Sequence, residues 1–280
     1  MIDRQLSIKT DHMSILNFDL NTSTDILFNL GFVRGGGRSA LDQRVMGMTV
    51  PSVRFVFDNA YLECVQFPPE VSEFYNYLHT PAGIHLIALL TPDAERCRER
   101  FCANGVEVDE LEQIVRKNTD YGELQGPLVF RMVPIPHEII PRTNVAFLQH
   151  CTRDLMYQPT RYAQPNGVVT IEEIVICCWT RDEADRAVTE LTELRELSDN
   201  EKCEGGIGLM RFMDPETICE RYGIGMNPKG SPFAVLRFKT MDMDKTMEYI
   251  KAAGYPYRRR KDAVQVVLPE RFGMVFEFIR

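Results

Sequence analysis

Four times along the chain, a short apolar stretch of strand character runs into a helix with one apolar face. "HMSILNFDL" leads into "NTSTDILFNLGF", where Thr22 or Ser23 is the expected N-cap and Gly31 the stop. "HLIALL" leads into "TPDAERCRERFCANGV". There Thr91 caps, Pro92 takes the first helical position, Ala94, Cys97 and Phe101 form the inner face, and Gly105 ends the helix. "EEIVICCW" leads into "TRDEADRAVTELTELREL", with Thr180 and Glu183 at capping-box spacing and Ala184, Ala187, Val188, Leu191 and Leu194 along one face. "FAVLRFK" leads into "TMDMDKTMEYIKAAGYP", closed by Gly254.

Each helix is followed by further strand-like stretches. Residues 52–67 read as a hairpin turning at Asp58-Asn59, and "PLVFRMV", "NVAFLQHC", "GIGLMRFM" and "AVQVVLPERFGMVFEFI" read as strands. The unit is therefore β-α-β-β-β, repeated four times in an α+β chain. One such unit cannot bury its own sheet, so the units should pair into two domains. The expected division, 1–155 and 156–280, falls in "TRDLMYQPTRYAQPNG" (152–167), where Pro159, Pro165 and Gly167 interrupt any regular pattern.

Composition narrows the picture. With 44% hydrophobic and 26% charged residues in 280, the chain has ordinary globular usage and enough length for two cores. A net charge of -8 argues against a nucleic-acid surface. The basic run "YRRRKD" (257–262) reads as a solvated hairpin edge. No apolar run is long enough to span a bilayer and the first residues lack a signal-peptide core, so a cytoplasmic protein away from membranes is expected. Eight cysteines without a CxxC pair read as reduced core residues and exclude a zinc ribbon.

Candidate chemistry sits at equivalent places in the first two units. His12 opens the first strand of one, and His85 opens the first strand of the next. In their last strands, "AYLECV" and "AFLQHC" align on an aromatic-leucine pair, which matches Glu63 with Gln149. A carboxylate inside an apolar strand is expensive unless it is paired or bound. Two imidazoles, a carboxylate and an amide oxygen suit a divalent cation with room left for water or substrate. His150 replaces Gln149 as the fourth group if the strand register differs by one residue.

The module pattern resembles the vicinal oxygen chelate superfamily, and the chain looks like its glyoxalase-like branch. The residues carrying the resemblance are "DHMSILNFDL", "LGFVRGGGR", "YLECV", "GIHLIALLTPDAER" and "FLQHCTRDLMYQPTRYAQPNG", over roughly residues 8–180. It implies paired modules whose curved mixed sheets form a cleft, and a divalent metal (Zn, Ni, Co, Mn or Fe) that chelates vicinal oxygens of a small substrate. The family's ligand positions fall on His12, Glu63, His85 and Gln149. The stretch after Gly36-Gly37-Arg38 departs from the family pattern. In the second half, Glu173 stands where His12 would, the match to His85 falls near Phe233, and Glu277 takes the place of a last-strand carboxylate. That half reads as a non-catalytic duplicate, and a homodimer is compatible with this arrangement.

The leading functional expectation is a metal-dependent lyase or isomerase working through an enediolate, with Glu63 as base. Arg131 could meet an anionic substrate, and His137 lies in a proline-rich loop suited to the edge of a site. One alternative is an extradiol-type dioxygenase using non-haem Fe(II). Another is a metal-free protein that sequesters a small ligand in the cleft.

Overall fold

The computed structural model describes all residues except 18–19, 36–42, 46–47, 67–82, 117–123, 125 and 270–271. The first unit comprises β1 (Asp3–Asn17), α1 (Leu20–Asn29), β2 (Gln43–Val45), β3 (Met48–Val50), β4 (Ser52–Val56) and β5 (Tyr61–Gln66). The second comprises β6 (Gly83–Leu90), α2 (Ala94–Ala103), β7 (Glu112–Arg116), β8 (Leu128–Ile140) and β9 (Thr143–His150). Two short helices follow, α3 (Arg153–Met156) and α4 (Pro159–Tyr162). The third unit has β10 (Val168–Cys177), α5 (Arg181–Leu197), β11 (Ile207–Met213) and α6 (Pro215–Tyr222). The fourth has β12 (Phe233–Thr240), α7 (Met243–Ala253), β13 (Tyr257–Arg259), β14 (Ala263–Val267) and β15 (Val275–Ile279).

The third unit departs from the expected four-strand pattern. After β11, Pro215 starts a helix capped by Asp214, whose side chain accepts from Thr217 N, so the chain turns helical instead of adding two more strands. Two helix starts also shift. Asp93, not Thr91, accepts from Arg96 N and caps α2. The first helix begins at Leu20, before Thr22 and Ser23, and its leading N–H is taken by the Gln66 side chain. The capping box of Thr180 and Glu183 starts α5, and the left-handed Gly254 ends α7, as the pattern requires.

Strand β1 joins the two halves. Its first part pairs antiparallel with β11, from Asp3 opposite Met213 to Ser7 opposite Leu209. Its second part lies between β5, parallel, and β6, antiparallel, with His12 level with Tyr61 and Ala88. One mixed sheet thus runs from β13 through β1 to β7.

The sheet's helix-covered side buries a single apolar core drawn from both halves. Phe32 lies 5.4 Å from Phe238 and 6.2 Å from Phe276, ring centre to ring centre. The opposite side carries two smaller apolar clusters. One gathers Val56, Tyr61, Ala88, Phe130 and Leu148 under Met156, Tyr157 and Tyr162. The other gathers Val175, Met213, Val235 and Val275 under Ile218 and Tyr222 of α6. Each half therefore has a cleft with a short helical cap. Residues 153–162, inside the segment expected to divide the domains, cover the N-terminal cleft. The basic run falls on β13, an exposed three-residue edge strand.

Candidate functional site

The N-terminal cleft is organised by an irregularity in β1. Between Thr10 and His12 the register against β6 shifts by one residue, and Asp11 is the extra residue. Its side chain is fully buried. The carboxylate pairs with His12 Nδ1 at 3.0 Å and accepts from the Tyr157 hydroxyl at 3.0 Å, while Arg153 Nη1 stands 3.8 Å away. Burial alone would raise its pKa. The hydrogen bond from His12, the charges of nearby groups and the Tyr157 bond outweigh burial and hold the carboxyl below its usual range. An ionised carboxylate only accepts, so the proton of His12 sits on Nδ1. Nε2 has no hydrogen-bond partner among the described residues. The ring stacks on Tyr61 at 4.3 Å and 12°.

Glu63 lies on the same strand face, two residues beyond Tyr61. Arg54 of β4 is its cross-strand partner. Both are buried, at 4% and 2% exposure. Arg54 Nε donates to Glu63 Oε1 at 3.1 Å, and Ser52 Oγ donates to the same oxygen at 3.0 Å. The buried carboxylate that the strand pattern singled out is thus neutralised by a guanidinium. Arg54 Nη2 is buried and has no hydrogen-bond partner among the described residues.

Of the two candidates at the end of β9, His150 enters the cleft. Its ring meets Phe130 at 4.4 Å and Tyr157 at 5.8 Å. Gln149 points to the helical side, where its Oε1 accepts from Ala94 N at the start of α2. Arg131, directly across from Gln149, shares that side and pairs with Glu95 at 3.1 Å. His137 binds Glu190 of α5. Neither Arg131 nor His137 reaches the cleft cluster. His85 falls at a second register shift, between Ser14 and Ile15, and its ring bonds the Ser14 backbone. Asp11, Arg54, Arg153 and Tyr157 complete the cluster without having been singled out in the sequence.

Burial drives the pKa of His85 down to about 3 and that of His150 down to about 4, so both are neutral near neutral pH. The folded values lie below the ordinary 6.5, so the unfolded chain binds more protons once pH falls under about 6.5. Stability present above that pH should be lost progressively down to about 3–4, by about 2 kcal/mol for each histidine at pH 5. Urea unfolding between pH 7.5 and 5 measures this. A His150→Phe variant should show a shallower loss than wild type, and an identical slope would refute the assignment.

A family model described as a glyoxalase-like domain matches residues 11–192, more than half of the chain. The chain belongs to the glyoxalase-like domain family. No curated protein matches the sequence. Solved structures similar in fold include a hypothetical protein from Staphylococcus aureus, at 13% identity, TM-score 0.55, and 97% and 98% coverage of the two chains. A triple mutant of 4-hydroxymandelate synthase from Streptomyces coelicolor aligns at 12% identity, TM-score 0.55, and 98% and 92% coverage. Homoprotocatechuate 2,3-dioxygenase from Arthrobacter globiformis aligns at 11% identity, TM-score 0.52, and 98% and 79% coverage. Identities this low establish the vicinal oxygen chelate fold and not an activity.

The family resemblance implies a divalent metal, and the donor set of this glyoxalase-like protein can be tested for it. His12 suits a ligand, since Asp11 fixes its proton on Nδ1 and frees Nε2. The rest of the set does not assemble. Glu63 is bound by Arg54, Gln149 faces α2, and no group of three or more His, Cys, Asp or Glu among the described residues is placed to hold a metal ion. As arranged, these residues do not fit a divalent cation.

In the C-terminal half, too, the buried strand carboxylates are met by arginines. Glu173 is bridged by Arg211 and Arg237, and Arg237 also binds Glu277. Gln265 donates to Glu277 at 2.8 Å and Asp3 pairs with Arg211 at 3.0 Å. A cavity of about 430 Å³ opens beside this network, lined by Asn59, Leu209, Arg237 and Ile279 among others. The carboxylates are balanced by guanidinium groups, which suits a packing role for this half.

Proposed function

We propose that the chain is a small-molecule enzyme of the vicinal oxygen chelate fold. It moves a proton on an oxygen-bearing substrate in the N-terminal cleft, as a lyase or isomerase does, with the Arg54 guanidinium as resident positive charge. The observation that carries this reading is the buried Arg54–Glu63–Ser52 cluster, in which a fixed cation already occupies the carboxylate. His12 Nε2 is the group that takes and returns the proton, and Asp11 orients the ring through Nδ1. Arg54 stabilises negative charge that develops on a substrate oxygen, in a site whose aromatic walls exclude water. Tyr61 stays protonated, because burial first and the Asp11 and Glu63 charges next push it well above its ordinary value.

Hydrogen–deuterium exchange of enolisable carbonyl compounds, neutral and acidic, tests the reading by NMR in D₂O. Chelator-treated protein should catalyse exchange of at least one compound, and His12→Gln and Asp11→Asn should reduce it by roughly 10²-fold or more. Exchange that appears only after a divalent cation is added would contradict it. Binding without exchange would favour a sequestering protein.

A further inference from the structure

The mixed sheet has two open ends, and they carry opposite charge. Among the described residues, β7 is hydrogen-bonded to β8 alone and β13 to β14 alone. Asp109, Glu110 and Glu112 lead into β7, whereas Arg258, Arg259, Arg260 and Lys261 run through β13 and past it. All of these side chains are exposed. Two exposed large apolar side chains lie on the same strands, Val115 at 48% and Tyr257 at 40%. Charge on a free edge keeps it from pairing with a copy of itself, because like charges then face each other. It does not exclude an edge of the other sign.

The backbone decides which residues are available. Val267 N donates to Pro256 O and Arg260 N to Ala263 O, so the even-numbered residues of β13 face β14. Tyr257 and Arg259 therefore turn their N–H and C=O outward. At the other end, Val129 of β8 accepts from Cys151 N and donates to Thr152 Oγ1, both just past β9. Its neighbour Phe130 faces β7 instead and meets Ile114. Gln113 and Val115 are left with outward backbone groups.

An antiparallel alignment with Gln113 opposite Tyr257 meets three conditions at once. Outward backbone groups meet outward backbone groups. Glu112 falls opposite Arg258, with Asp109 and Glu110 beside Arg260 and Lys261, while Arg116 lies at the far end of β7. The faces of the sheet match as well. Ile114 packs on the N-terminal cleft side, which puts Glu112 on that side. Arg258 is level with Gln265, whose side chain reaches Glu277 on the C-terminal cleft side. Arg258 lies over Gly223 and Arg260 donates to Arg221 O, so the end of α6 holds both on that face.

We propose that the two edges are complementary halves of one interface. β7 of one copy adds antiparallel to β13 of the next, and the sheet continues from chain to chain. The contact uses different surfaces on its two sides, so it extends into a row or closes into a ring. It is independent of what the cleft binds.

Sedimentation velocity on the full chain, in about 20 mM and about 0.5 M NaCl, tests the inference. At low salt the weight-average mass should reach roughly twice the monomer or more between about 5 and about 500 µM. High salt should return it towards the monomer. Asp109→Lys/Glu110→Lys/Glu112→Lys and Arg258→Glu/Arg259→Glu/Arg260→Glu should each stay monomeric, because both edges then carry one sign. Mixed in equal amounts, the two variants should associate again, since each edge meets its opposite. Gln113→Pro removes an outward N–H that β8 does not use. It should weaken association about tenfold and keep the native circular dichroism. Monomer at every concentration, association that survives either reversal, a mixture that stays monomeric, or undiminished association of Gln113→Pro would overturn the inference.

Discussion

A chain ending at residue 165 should fail to fold, giving aggregated protein without a native near-ultraviolet signal. The two halves share one core and one sheet, so the cut leaves the first half without its partner. Asp3 to Ser7 would lose the β11 ladder. Phe32 would lose its contacts with Phe238, Phe276 and Phe278, and Phe57 its contact with Phe238. Exposing each such ring costs roughly 1.5–3 kcal/mol. Polar ties go as well. Asn200 Nδ2 donates to the carbonyls of Lys9 and Leu90, Thr91 donates to Ser198 O, and Asn166 donates to Leu30 O. Against a total stability of about 5–15 kcal/mol, these losses together are decisive. Size-exclusion chromatography and circular dichroism of fragment 1–165 measure the outcome. A soluble monomer with native-like spectra would show that the halves are independent.

The second large effect is expected at the pair beneath the cleft. Arg54→Ala leaves Glu63 buried without its cation, which should destabilise the fold by about 3–5 kcal/mol. Glu63→Gln alone should cost less, because the amide can still accept from Arg54 and Ser52. Replacing both members, in Arg54→Met/Glu63→Leu, should recover most of the loss, since an apolar pair removes the desolvation penalty. Guanidinium-chloride unfolding of the four proteins reads the cycle. If Arg54→Ala costs under about 1 kcal/mol, the pair is more open to water than its geometry implies.

Much of this architecture is legible in the sequence, and what is not has identifiable physical causes. The helices α5 and α7 announce themselves through caps and apolar faces, because both signals are local. Unit pairing is legible from repetition. The third unit's missing strands are not, since "DPETICERY" reads as a helix only when Pro215 and Asp214 are weighed together. The cap over the N-terminal cleft resembles a linker because its two helices have four residues each. Their apolar residues, Met156, Tyr157 and Tyr162, pack on side chains distant in sequence.

The site shows the same division. His12 and Glu63 are conspicuous as polar residues in apolar strands. The choice between Gln149 and His150 depends on register, which composition does not fix. The Asp11 bulge, which turns consecutive residues toward one cleft, has no local signature. Arg54 had one. A two-residue turn at Asp58-Asn59 sets residue 54 opposite residue 63, so the turn itself names the partner of the buried carboxylate.

The claim that a guanidinium holds the place of a metal is tested most directly by X-ray anomalous scattering. Crystals would be grown with excess Ni²⁺ or Mn²⁺ and measured on either side of the metal's absorption edge. The expected map shows no anomalous peak between His12 and Glu63, and electron density that joins Arg54 to the Glu63 carboxylate. A strong peak coordinated by His12 and Glu63, with Arg54 displaced from the carboxylate, would contradict it.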